Sequence, residues 1–348
     1  MKTSAGRFFE DFRLGEEIVH ATPRTVTTGD VALYTALFGA RFPVQASDPF
    51  ARSIGFGRAP LDDFLVFHIV FGKSVPDVSL NAVANLGYAE GRFARPVFVG
   101  DTLSATSTVI GLKENSSRET GVVYVRTVGR NQHREIVLDY ARWVMVRKRD
   151  KAAEIAEERV PELAAAVAAG QLRLPRDIDC ALYSDALSGS PHRWGDYKPG
   201  ERIDHVDGVT VEEAEHMMAT RLYHNTARVH FNAHAAKDGR FGKRLVYGGH
   251  VISLARALSF NGLGNAFRVL AINGGRHVNP LFAGDTVYAW SEILEAAPLA
   301  GREDAGALRV RTVAAKDRPC ADFPDKGADG KPDPAVLLDL DYWVAMPR

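Results

Sequence analysis

The sequence has little cysteine, no net charge and no long apolar run, and each shortage excludes something. Two cysteines in 348 residues, Cys180 and Cys320, are too few for a disulfide framework or a cysteine zinc site. A reducing, cytoplasmic setting is the expectation. Forty-three Lys and Arg balance forty-three Asp and Glu. Bulk phosphate binding shows as an excess of cations, so no nucleic-acid partner is expected. A local cationic groove for a small anionic ligand stays open. No apolar run reaches the roughly 18 residues of a membrane span, and the N-terminal segment lacks the apolar stretch of a signal peptide. No membrane partner is expected either. What is present is ordinary globular material, 46% hydrophobic and 25% charged, enough for two cores at about 150 residues per domain.

The chain also resembles itself. Asp11-Phe12-Arg13-Leu14-Gly15-Glu16 recurs as Asp196-Tyr197-Lys198-Pro199-Gly200-Glu201, an offset of 185. Phe56-Gly57-Arg58 recurs as Phe241-Gly242-Lys243 at the same offset, and Pro96–Thr102 recurs as Pro280–Thr286 at 184. Tyr140–Met145 is echoed by Tyr342–Met346. Repeats in one order at a nearly constant, long offset mean two whole domains, not a solenoid. The boundaries read as 1–150, a linker at 151–191 and 192–348. Lys151–Gly170, rich in Ala and Glu, is expected to be helical, and Gln171–Pro191 irregular.

Each half has a short helix signal, a longer apolar helix (near Asp62–Ser74 and Gly249–Phe260) and then strands rich in β-branched residues. The strands are expected at Leu103–Leu112, Gly121–Val128 and Ile136–Val146, and again at Val287–Leu294, Leu308–Ala315 and Val336–Met346. Gly100-Asp101 and Gly284-Asp285 suit turns into the first strand of each set. The fold class is α+β, each half an antiparallel sheet wrapped around a central helix.

Phe56-Gly57-Arg58 with Gly91–Thr102 resembles the MaoC-type hydratases, hot-dog enzymes acting on acyl-thioesters, and the likeness runs over nearly the whole chain as a tandem hot-dog. Ala59–Lys73 and Asn81–Phe93 resemble more specifically the branch that hydrates mesaconyl-CoA. That resemblance implies a hydro-lyase acting on an α,β-unsaturated acyl-CoA, in C5 acyl-CoA assimilation such as the ethylmalonyl-CoA pathway. It implies a small-molecule CoA thioester as partner, no cofactor, no metal and a homo-oligomer, a dimer or higher. An aliphatic (R)-specific enoyl-CoA hydratase, a hot-dog thioesterase and a non-catalytic acyl-CoA-binding protein are the alternatives.

The family motif is Asp-x-Asn-Pro-x-His followed by a helix opening on His-Gly. In the first half these positions hold Ala40, Phe42, Pro43 and Gln45, with Asp62-Asp63 at the helix start, so that half is expected to be silent. The second half holds Asn225, Ala227, Arg228 and His230, with Tyr247-Gly248-Gly249-His250 at the helix start. His230 is the expected base, since imidazole accepts and returns a proton near neutrality. Asn225 would place the water or orient the imidazole. Gly248 would offer its amide to the developing enolate, the first amides of a helix being unpaired and at the positive end of its dipole; relaxing a tight turn is its other reading. Tyr247 and His250 read as packing. Arg228 is the expected clamp for the second carboxylate of mesaconate. Arg92, Arg95, Arg276, His277 and Asn279 are candidates for the CoA phosphates, and Pro60, Leu61, Asp62, Asp63, Asn85 and Leu86 for lining the acyl cavity. His224, His234 and His277 raise a metal alternative, and the set His224, His230 and His234 includes one pair, His230 and His234, spaced to share a helix face. No Glu sits between them as a zinc hydrolase requires, so the metal reading is set aside.

Overall fold

A computed structural model describes residues 2–155, 157–327 and 329–348. The first half contains strands β1 (Glu17–Val19), β2 (Arg24–Thr25), β3 (Ala82–Phe93), β4 (Thr102–Glu114), β5 (Thr120–Arg130) and β6 (Ile136–Arg147). Its main helices are α1 (Thr28–Phe38) and α2 (Asp63–Ser74). The second half has β7 (Arg202–Thr210), β8 (Arg268–His277), β9 (Thr286–Pro298), β10 (Ala305–Lys316) and β11 (Val336–Pro347), with helices α3 (Glu213–Leu222) and α4 (Gly248–Leu258). The pairing order is β1-β4-β5-β6-β3-β8-β11-β10-β9-β7, with β2 attached to β4. Both halves are double layers of helix against antiparallel sheet, and together they form a tandem hot-dog.

The central helices form where the sequence predicts them because little else can hold so apolar a segment. Every residue of α2 is buried, and α4 is buried from Gly249 to Leu258. A helix that is apolar all round belongs in a core, here wrapped by β4, β5 and β6 in one half and β9, β10 and β11 in the other. Duplication extends to polar detail. His20 shares a hydrogen bond with Ser107, itself bonded to Thr127, and His205 repeats this with Ser291 and Thr312. Gly100 and Gly284 both turn at positive φ, with Asp101 and Asp285 accepting from Phe98 N–H and Phe282 N–H.

The sequence reading passes over β3 and β8, the strands that join the halves. They pair antiparallel, Tyr88 opposite Gly275 and Gly91 opposite Ile272. Neither has clean alternation; β3 carries three register shifts against β6 and β8 two against β11. A second expectation is corrected. Among its described residues, Lys151–Gly170 is not helical apart from a 3-10 turn beginning at Ala169. It runs extended, bridging Arg159 to Leu112, then donating Ala164 N–H to Glu90 and Val167 N–H to Asn273. Trp343 Nε1–H donates to Val167 O. Pro161 and this lateral capture of the backbone outweigh the helix propensity of Ala and Glu.

Candidate active site

In the second half, α3 ends at Leu222 and the chain turns through His224, at φ 55°, into a 3-10 turn, Arg228–His230. Asn225 Oδ1 accepts from Ala227 N–H at 2.9 Å, an Asx turn that starts this descent. His230 is buried, and its Nδ1 lies 2.8 Å from Leu245 O. A carbonyl can only accept, so Nδ1 carries the hydrogen and Nε2 is left with its lone pair. Among the described residues Nε2 has no hydrogen-bond partner. Burial pulls the His230 pKa down to about 4, against the pull of the Leu245 bond, so the ring is a neutral base. The Leu245 carbonyl, not Asn225, orients the imidazole, a role no side-chain motif reveals.

Gly248 opens α4 beside it. Neither Gly248 nor Gly249 has a positive φ, so a tight turn does not explain them. Space does. A Cβ on Gly248 would lie within 2.6 Å of both ring nitrogens of His277, and one on Gly249 would run into Tyr247 and His68. The Gly248 and Gly249 amides, first in the helix, lack an intrahelical partner by position, whereas His250 N–H already donates to Tyr247 O. Tyr247 packs its ring 5.5 Å from that of His230, and His250 packs 4.9 Å from Phe38.

An open cleft of about 670 Å³ reaches this region, lined by Met217, Arg221, His224, Asn225, Thr226 and Phe231. That is the size of a small-ligand site. Burial, then the charges of Arg24 and Lys73 from the first half, lower the pKa of His224 in this lining, against the pull of Asp30. Arg228 is exposed on the 3-10 turn and makes no ion pair among the described residues.

The corresponding place in the first half differs. A cavity of about 40 Å³, room for a water or so, is lined by residues including Tyr34, Ala40, Phe42, Gln45, Pro60 and Asp62. Asp62 Oδ1 caps α2 through Phe64 N–H and also accepts from the Tyr34 hydroxyl. Asp63 stands where the repeat has Gly248. Its Oδ2 accepts from Val269 N–H at 2.8 Å, and Arg268 faces its other oxygen at 3.8 Å. Burial lifts its pKa to about 6 despite Arg268. Leu61 is buried and donates its N–H to Val97 O.

The other candidates are dispersed. Arg92 donates to Gln171, Arg95 pairs with Glu135, Arg276 faces Asp339 at 3.6 Å, and Asn279 donates to Val336 O. All four already have protein partners. His277 instead sits over Gly248, sharing a 3.2 Å hydrogen bond with the Tyr88 hydroxyl. Asn85 and Leu86 lie on β3, and both amide atoms of Asn85 are buried without a partner. His230 and His234 do not share a helix face: His234 belongs to a separate short helix, Ala233–Ala236, and is exposed. The sequence reading missed Tyr88 and Arg221; pairing of β3 with β8 is the signal that would have brought Tyr88 in.

Five buried imidazoles are held uncharged by desolvation: His68 and His250 near 3, His205, His230 and His277 near 4. Unfolding frees each to bind a proton below about 6.5. Stability is therefore full above that pH and falls progressively toward pH 4. Asp63, raised to about 6, and Asp62, also raised by burial, act oppositely, but they are two groups against five. The expected result is a lower urea midpoint at pH 5 than at pH 7.5.

Residues 2–322 match the family described as mesaconyl-CoA hydratase. The chain is 65% identical over 347 residues to a β-methylmalyl-CoA dehydratase of Chloroflexus aurantiacus, covering 100% of this chain and 99% of that one. It is 62% identical to a mesaconyl-CoA hydratase of Cereibacter sphaeroides, with both chains covered in full. A crystal structure of a putative MaoC domain protein dehydratase from Chloroflexus aurantiacus superposes with a TM-score of 0.98 at 65% identity, over 100% of this chain and 99% of that one. A Mycobacterium tuberculosis protein described as a double hot-dog fold superposes at 0.75 with 24% identity, covering 99% of each chain, a likeness of fold alone.

Proposed function

Because the chain belongs to the mesaconyl-CoA hydratase family, we infer that it adds water reversibly to mesaconyl-CoA, giving β-methylmalyl-CoA. The observation that carries the mechanism is His230, whose Nδ1–H is spent on Leu245 O and whose Nε2 has no protein partner. Nε2 takes a proton from water as the oxygen attacks Cβ. Negative charge moves to the thioester oxygen, where the Gly248 amide at the start of α4 receives it. The imidazolium then returns its proton to Cα, so one group serves as base and acid. This removes the need for the carboxylate replaced by Asn225, whose amide nitrogen is free to hold the water while Oδ1 caps Ala227.

Arg221 and His224 in the cleft lining suit the CoA phosphates; Arg24 and Lys73, bonded to Asp30 and to Thr22 O, and Arg92, Arg95, Arg276 and Asn279 belong to that reading only if their present bonds exchange. The first half contributes Tyr88, whose hydroxyl shares a hydrogen bond with His277 beside Gly248. The reading extends to a cytoplasmic homodimer. Two buried free thiols fit a reducing compartment, and Val19 and Val206, 73% and 64% exposed on the strands that end the sheet, offer apolar contacts to a second copy.

Loss of enoyl-thioester absorbance with mesaconyl-CoA, without release of free thiol, tests the reaction; release of thiol would make the protein a thioesterase instead. Arg228 is the proposed clamp for the free carboxylate, a planar fork suited to two oxygens. Arg228→Leu is expected to reduce the preference for mesaconyl-CoA over crotonyl-CoA by about tenfold or more, as for a lost charge-assisted contact. Unchanged selectivity would remove Arg228 from the site.

A further inference from the structure

The two ends of the β3–β8 seam are related by the duplication, yet they carry different chemistry. Tyr88 pairs opposite Gly275 and, at the other end, Ile272 opposite Gly91, each ring or branch packing over the facing glycine. At the live end stand His277 from β8, Tyr88 from β3 and, next to Tyr88 on β6, Arg142. At the silent end the same positions hold Phe93, Ile272 and Tyr342, with Phe93 and Tyr342 packed on Phe64. The polar set survives only beside Gly248.

We propose that His277, positioned by Tyr88, donates a second hydrogen bond to the enolate oxygen and completes a two-donor site with the Gly248 amide. This rests on the hydratase reading above. The His277 ring lies directly over the start of α4, where its Cε1 and both nitrogens crowd the place of a Gly248 side chain. Its Nε2 is engaged by the Tyr88 hydroxyl at 3.2 Å. With the phenol donating, the ring keeps its hydrogen on Nδ1, the nitrogen left free. Burial and the neighbouring His230 hold His277 near pKa 4, so it is neutral at working pH and acts as a donor without surrendering a proton.

Arg142 supports the pair from behind. It is fully buried, and among the described residues it has no carboxylate partner. Nη2 donates to Ser74 at 2.8 Å, the guanidinium lies over Phe71 at 4.3 Å, and Nε and Nη1 have no partner. Burial raises the pKa of the Tyr88 hydroxyl, and the Arg142 charge works against that, making the phenol a better donor to His277. An unbalanced buried cation is costly, and negative charge arriving on the substrate relieves that cost.

The step balances without a further reactant. His230 takes the proton of water, oxygen bonds to Cβ, and the π pair moves through Cα to the thioester oxygen. That oxygen accepts hydrogen bonds from Gly248 N–H and His277 Nδ1–H. The proton on His230 passes to Cα and the thioester carbonyl reforms.

The test is steady-state hydration of mesaconyl-CoA by His277→Phe, which copies the silent end, by His277→Gln, which restores a neutral N–H donor, and by Tyr88→Phe, with melting temperatures alongside. His277→Phe is expected to lower kcat by about 10²-fold with KM little changed, as for loss of one oxyanion donor. His277→Gln should recover about tenfold of that, and Tyr88→Phe should fall between wild type and His277→Phe. A His277→Phe enzyme with kcat near wild type, an effect confined to KM, or a Gln variant no better than Phe at equal melting temperature would overturn the assignment. Wild-type enzyme inactive on mesaconyl-CoA would instead overturn the hydratase reading itself.

Discussion

His230→Ala is expected to abolish measurable hydration of mesaconyl-CoA, with kcat falling about 10³–10⁴-fold while the fold persists. General acid–base groups contribute about 10²–10⁴-fold, and here one imidazole carries both proton transfers, so its loss falls at the upper end. The ring's bond to Leu245 O joins the 3-10 turn to the segment before α4. Its removal also costs some stability, and circular dichroism separates this from lost chemistry. His230→Gln keeps a donor for Leu245 O but cannot take a proton. It should be as inactive as alanine and better folded. Appreciable turnover in either variant would move the base elsewhere.

Gly248→Ala is expected to cost about 10³-fold in kcat, at the upper limit for an oxyanion donor. The helix itself would accept alanine, since Gly248 sits at ordinary φ and alanine has the higher helix propensity. The penalty is local. A methyl there meets the His277 ring, with both nitrogens within 2.6 Å, so either the ring leaves its bond to Tyr88 or the helix start shifts away from the thioester. A collapse in kcat far beyond what the modest fall in melting temperature from this overlap accounts for distinguishes lost oxyanion donation from a packing defect. Kinetics for mesaconyl-CoA together with thermal melts provide the measurement; near-normal kcat would exclude the α4 amide from catalysis.

The duplicated frame was legible because it rests on periodic burial and turn chemistry. The six strands read from the sequence fall within β4, β5, β6, β9, β10 and β11, and the apolar helices within a residue or two of α2 and α4. Lys151–Gly170 misled because its composition favours a helix while its hydrogen-bond partners, Leu112, Glu90 and Asn273, are distant in sequence. β3 and β8 escaped because bulges and glycines blur their alternation. The site divides along the same line. His230 and Gly248 were visible as motif positions, whereas Tyr88, Leu245 O and Arg142 carry no local signature.

By itself the sequence determined that there are two related α+β halves, that only the second retains a histidine and a helix-opening glycine at the motif positions, and that acidic and basic residues balance with no long apolar run. Tertiary structure alone decided which nitrogen of His230 is free, why a side chain on Gly248 would collide with His277, and that β3 of the first half lays Tyr88 against His277. The reason is physical: periodicity and turn residues act over a few neighbours along the chain, whereas the protonation state of an imidazole and the space above a glycine are set by groups brought there from far away in sequence.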